Sequence, residues 1–162
     1  MKSVASITAT LILLSGCATP PPSEDPVKKA AEQAWMRSLY DSKDGFGPYP
    51  ENYQEIVKAY VSQQLKDPES ARFTDFKPLA KDLKLVDIKN RVAILGYSTC
   101  VNVNAKNSYG GYVGEKRYWL LIRDGKIIDS LSPEVPGYAP ALKTAMAQMI
   151  DFSCQNPKVK QQ

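Results

Sequence analysis

The chain has 162 residues, 21 lysines and arginines against 17 aspartates and glutamates, and no histidine. That length allows one modest domain with a core of its own, and a net charge of +4 without a basic cluster excludes a nucleic-acid-binding stripe. The missing histidine removes the usual general base, the Ser-His-Asp and Cys-His arrangements and the commonest metal ligand.

Residues 1–16 read as a targeting segment. Lys2 supplies the positive start, and the apolar run from Val4 to Leu14 is too short for a bilayer core, which takes about 20 residues. The run ends in Leu14-Ser15-Gly16-Cys17, which resembles the lipobox of bacterial lipoproteins. The resemblance implies cleavage before Cys17, a thioether-linked diacylglycerol on its sulfur, and a mature N-terminus anchored to membrane lipid. Several acyl chains on one residue give stable attachment. In such lipoproteins an aspartate after the cysteine commonly retains the protein at the inner membrane. Ala18 stands there instead, which implies the periplasmic face of the outer membrane in a Gram-negative host.

Residues 17–26 hold that cysteine and a tether whose three prolines, Pro20 to Pro22, favour an extended polyproline conformation. A single domain is expected over 27–156, and a flexible polar tail over 157–162. Asp25 and Pro26 suit the N-cap and first turn of a helix that carries Val27, Ala30, Ala31, Ala34, Trp35 and Leu39 at helical spacing. Asp41 to Pro50, dense in glycine and proline, must be a loop. Tyr53, Ile56, Val57, Tyr60, Val61 and Leu65 form the apolar stripe of a second helix, with Pro50 suited to its first turn and Asn52 with Glu55 as an alternative capping pair. That helix stops before Pro68, and Asp67 to Ser70 reads as a turn or one short helical turn.

Strand chemistry follows. Arg72–Lys77 and Leu83–Ile88 are short candidates, and Arg91–Ala105 is the strongest. On its odd positions Ala93, Leu95, Tyr97, Thr99, Val101 and Val103 alternate along one face. Its even face turns polar at Ser98, Asn102 and Asn104, so the strand is expected to leave the core toward its end. Arg117–Arg123 is an apolar run, Asp124-Gly125 a two-residue hairpin signal, and Lys126–Leu131 the returning strand. After Pro133, Pro136, Gly137 and Pro140 a last helix carries Tyr138, Leu142, Ala145, Met146, Met149 and Ile150 on one face, with Cys154 just past its end. The order implies an α+β domain: an antiparallel β-meander with N-terminal and C-terminal helices packed on one face.

With Cys17 lipidated, Cys100 and Cys154 are left in an oxidising compartment, where a disulfide is expected and two buried thiols are the alternative. No glycine-rich phosphate loop or Gly-x-Ser-x-Gly elbow appears. The carboxylate pairs Glu51 with Glu55 and Asp82 with Asp87 sit among lysines and read as solvated charges. No enzyme activity, no cofactor and no metal site is expected.

The segment Asn102 to Gly114 stands out, being longer and more aromatic than a hairpin needs. One reading is a recognition loop that uses Asn102, Asn104, Lys106, Asn107, Tyr109 and Tyr112, residue types suited to adaptable contact surfaces. Gly110, Gly111 and Gly114 would then supply special backbone conformations. The other reading is a set of turns whose tyrosines fold back onto the core. Leu65 to Phe73, with its KDPESARF stretch, followed by Cys100 and by NAKNSYGGY at 104–112, resembles a small domain of uncharacterised bacterial envelope proteins and lipoproteins, over roughly residues 50 to 154. Val101 departs from the small residue that such domains often carry after the cysteine. The resemblance implies a shared fold and secretion, with no activity to carry over. The expected role is therefore a non-enzymatic accessory or assembly component of an envelope complex, with a protein partner. The alternative is a small periplasmic binding module for glycan or peptidoglycan, or a protein inhibitor of a hydrolase.

Overall fold

In a computed structural model, residues 25–42, 44–133 and 139–156 are described. The expectations on the targeting segment, Cys17, the tether as far as residue 24, Pro136 to Tyr138 and the tail lie outside them. Helix α1 spans Pro26–Tyr40, and the Asp25 side chain accepts the Val27 N–H as its N-cap. Helix α2 spans Tyr53–Ser62, and Asn52 precedes it without a side-chain capping bond, so the alternative capping pair does not form. A single 3-10 turn, Pro68–Ser70, leads into strands β1 (Arg72–Thr74), β2 (Ala80–Asp87), β3 (Val92–Asn104), β4 (Lys116–Arg123) and β5 (Lys126–Leu131). Helix α3, Pro140–Gln155, closes the order and contains Cys154 in its last turn rather than beyond its end.

All pairings are antiparallel. β3 is the central strand: β4 runs along one edge, while β1 and β2 share the other. β5 extends the meander through Asp124-Gly125, both at positive φ (49° and 71°), the pair of conformations a two-residue hairpin needs to match strand twist. The result is the expected α+β meander flanked by helices.

The helices divide between the two sheet faces instead of sharing one. Val101, Val103, Tyr118, Leu120 and Ile122 face α2, where Val57 and Val61 are fully buried. Farther along the same face, Met36, Leu39 and Tyr40 of α1, with Phe46 of the following loop, cover Leu83, Leu95 and Tyr97. On the opposite face Cys100, Trp119 and Leu121 pack against Ile150 and Cys154 of α3, and a disulfide joins Cys100 to Cys154. The reason is in β4: Tyr118 to Ile122 is apolar at both parities, so each face needs a cover.

Two expectations give way here. β3 does not leave the core, since Val101, Val103 and Ala105 are all buried near its end. Asp82 is not a solvated charge: it is 2% exposed, and its carboxylate accepts the Leu83 N–H.

Candidate functional site

The segment 102–114 divides into two parts. Asn102 and Asn104 belong to β3 and pair with Thr74 and Arg72 of β1. Asn102 is held in a polar network: its carbonyl accepts from Arg117 Nε at 3.0 Å, and its amide donates to Glu115 at 3.4 Å. Arg117 also reaches Asp151 of α3 at 3.1 Å and Asp75 at 3.9 Å. The guanidinium is thus engaged on three sides and ties β3, α3 and the β1 exit together. Asn102 belongs to this brace rather than to a loop.

Residues 105–113 form a small hairpin beyond the sheet. Lys106 and Tyr112 pair across it, and the Val113 N–H donates to the Ala105 carbonyl. Asn107 organises the tip: its side-chain oxygen accepts from the N–H of Tyr109 at 2.9 Å and of Gly111 at 3.2 Å. Its own N–H donates to the Gly111 carbonyl, and its carbonyl accepts from Gly110. Asparagine side chains make such turn contacts readily. Gly110 and Gly114 sit at φ of +81° and +89°, where a side chain is strained although the space is open; Gly111 does not.

A second braced element lies against this hairpin. Ser70 Oγ accepts the Lys106 N–H at 2.9 Å and donates to the Asp67 carbonyl at 2.8 Å. Tyr112 Oη donates to the Ser70 carbonyl at 3.4 Å, while the Arg72 guanidinium lies 4.7 Å and Lys106 Nζ 5.7 Å from the Tyr112 ring centre. The KDPESARF and NAKNSYGGY stretches, separate in sequence, are therefore one structural unit. Ser70 and Arg72 are the contributors that sequence reading passed over; the Asp-Pro turn ending in serine was the available signal.

Within that unit the two tyrosines part ways. Tyr112 folds back onto the Pro68–Ser70 turn, half exposed, whereas Tyr109 is 96% exposed at the tip. Beside the hairpin a cleft of about 300 Å³ has Leu65, Val103, Ala105 and Tyr118 in its walls, with Lys66 and Lys116 among its polar groups. Burial, and then the neighbouring Lys143, lowers the Lys116 ammonium below the usual lysine range. Burial raises the Tyr118 hydroxyl although a hydrogen bond from Ser132 opposes the shift.

Among the described residues no His/Cys/Asp/Glu group is arranged to hold a metal ion, and no helix is long and apolar enough to cross a membrane. Compared with protein-family models, curated proteins and solved structures, the chain finds no match.

Proposed function

We propose that this chain is a non-enzymatic lipoprotein of the outer membrane, an accessory or assembly component that engages a protein partner of the envelope through its 105–113 hairpin. The observation that carries the reading is Tyr109, almost wholly exposed on a tip that Asn107 has already ordered. An exposed aromatic on a preorganised backbone supplies contact area at small entropic cost. The lipobox-like Leu14-Ser15-Gly16-Cys17 supports lipid attachment, and a sequence without histidine supports a role other than catalysis.

The test is crosslinking of the tagged chain in cells, followed by identification of what co-purifies. A small set of envelope proteins, lost on Tyr109→Ala while thermal stability is unchanged, is the expected result. Partner recovery equal to that of the unsubstituted chain would remove the hairpin from the interface. Recovery with muropeptides alone would replace the assembly role with glycan binding.

A further inference from the structure

The turn between β2 and β3 carries an unusual surface. Leu85, Val86, Ile88, Val92 and Ile94 lie within one hairpin and are 40%, 55%, 64%, 45% and 37% exposed. The covers described above end short of it, because α3 packs on Cys100 and Trp119, and the cluster under α1 holds Leu83, Ala93, Leu95 and Tyr97. Aliphatic side chains concentrated this way on a small domain mark a contact surface.

The charges on the same hairpin indicate which kind of contact. Residues 84–94 hold Lys84, Lys89 and Arg91 against a single acid, Asp87. Lys84 pairs with Asp129 at 3.5 Å, whereas Lys89 and Arg91 make no ion pair among the described residues. Asp87 is turned inward on the loop itself: its carboxylate accepts the Asn90 N–H at 3.0 Å and the Asn90 amide at 2.6 Å. Those bonds, the backbone one first, hold it below the usual carboxylate range. The tip thus presents branched aliphatics flanked by two cations. This combination suits the interface of an anionic bilayer, where apolar groups enter the acyl boundary and lysine and arginine meet phosphates. A protein groove would ask for complementary shape, and nothing in the tip's bare aliphatics specifies one.

We infer that the β2–β3 tip is a membrane-contact element that dips Val86, Ile88 and Val92 into an anionic lipid surface. The inference rests on the lipid attachment proposed above and adds an orientation to it. The tip and the Tyr109 hairpin extend from opposite ends of β3, whose 13 residues span about 40 Å. Contact at one end therefore presents the other away from the bilayer.

The experiment uses the full chain processed in cells and reconstituted in phosphatidylethanolamine–phosphatidylglycerol vesicles. Ile88→Cys and, separately, Tyr109→Cys carry a spin label, with acylation of Cys17 measured by mass. The expected result is a label at 88 that collides with oxygen and is shielded from a water-soluble nickel relaxant, and a label at 109 with the opposite pattern. Lys89→Gln with Arg91→Gln should lower the shielded fraction at 88, as should replacing phosphatidylglycerol with phosphatidylcholine. A floated, acylated chain whose label at 88 stays in water overturns this inference and leaves lipid attachment standing. A chain without acyl groups removes the attachment reading. The tip must then float the chain on anionic vesicles unaided, and failure to do so overturns the inference as well.

Discussion

Tyr40 is half-buried, and its hydroxyl has no hydrogen-bond partner among the described residues. Burial first, and the negative Asp82 second, push that hydroxyl well above the ordinary tyrosine range. A folded-state pKa above the unfolded one favours the folded chain fully below about pH 10, and this advantage is lost as pH rises from there toward the folded value. Tyr118 acts with the same sign. Tyr40→Phe removes an unpaired buried hydroxyl, so it should be neutral or stabilising at neutral pH and lose less stability above about pH 10. Denaturant titrations on either side of that value check it; parallel losses in both proteins would sink the assignment. Gly96 shows the opposite kind of constraint. A Cβ there would collide with the Ile122 carbonyl oxygen, a backbone atom fixed in the β3–β4 ladder. Gly96→Ala should cost about 1–3 kcal/mol by overpacking, read as a lowered denaturation midpoint. At the hairpin, Tyr112→Ala should cost about 1 kcal/mol through its lost cation–ring contacts, while Tyr109→Ala should leave stability unchanged. Equal effects from the two would erase the distinction between brace and contact.

Among the elements, α3 depends most on one covalent bond. It buries Ile150 fully and leaves Leu142, Met149 and Phe152 largely exposed, a narrow apolar contact for sixteen residues. The disulfide closes a loop with a sequence separation of 54, which on the chain-entropy account contributes about 4 kcal/mol. Cys100→Ser with Cys154→Ser should lose about that much global stability. It should also raise hydrogen exchange in α3 before β3 and β4, where the ladder is continuous. Exchange that rises uniformly would contradict a local role. Much of this level was legible. The β3 alternation, the Asp124-Gly125 turn and the α2 stripe all rest on local chemistry that tertiary packing did not override. The face taken by α3 was not legible from its own residues, because Leu142 and Met149 fit the helical period yet point to water. The readable sign lay in β4, apolar at both parities. The hairpin brace was likewise hidden, because Ser70 and Lys106 meet only once β1 has paired with β3.

At the scale of the whole molecule, the two ends of β3 differ in chemistry. One carries the aliphatic, cation-flanked tip of Val86 and Ile88, the other the polar hairpin with Tyr109. If both proposals hold, Ile88→Asp should weaken shielding at the bilayer and leave partner capture by the Tyr109 hairpin intact. Tyr109→Ala should do the reverse, as fluorescence depth measurements and crosslinking would show. Loss of both functions in either variant would mean that the ends are not independent.

The central strand also sets how the domain bears load. A force applied between the 105–113 hairpin and the β2–β3 tip would run along β3 itself, since that strand is the covalent path between them. Any displacement of β3 along that line would slide its registered pairs with β2 and β4 together rather than unzip them singly. Midway along, Cys100 transfers part of the strain to α3 through the disulfide. The domain is thus braced along the line that joins the two ends of its central strand.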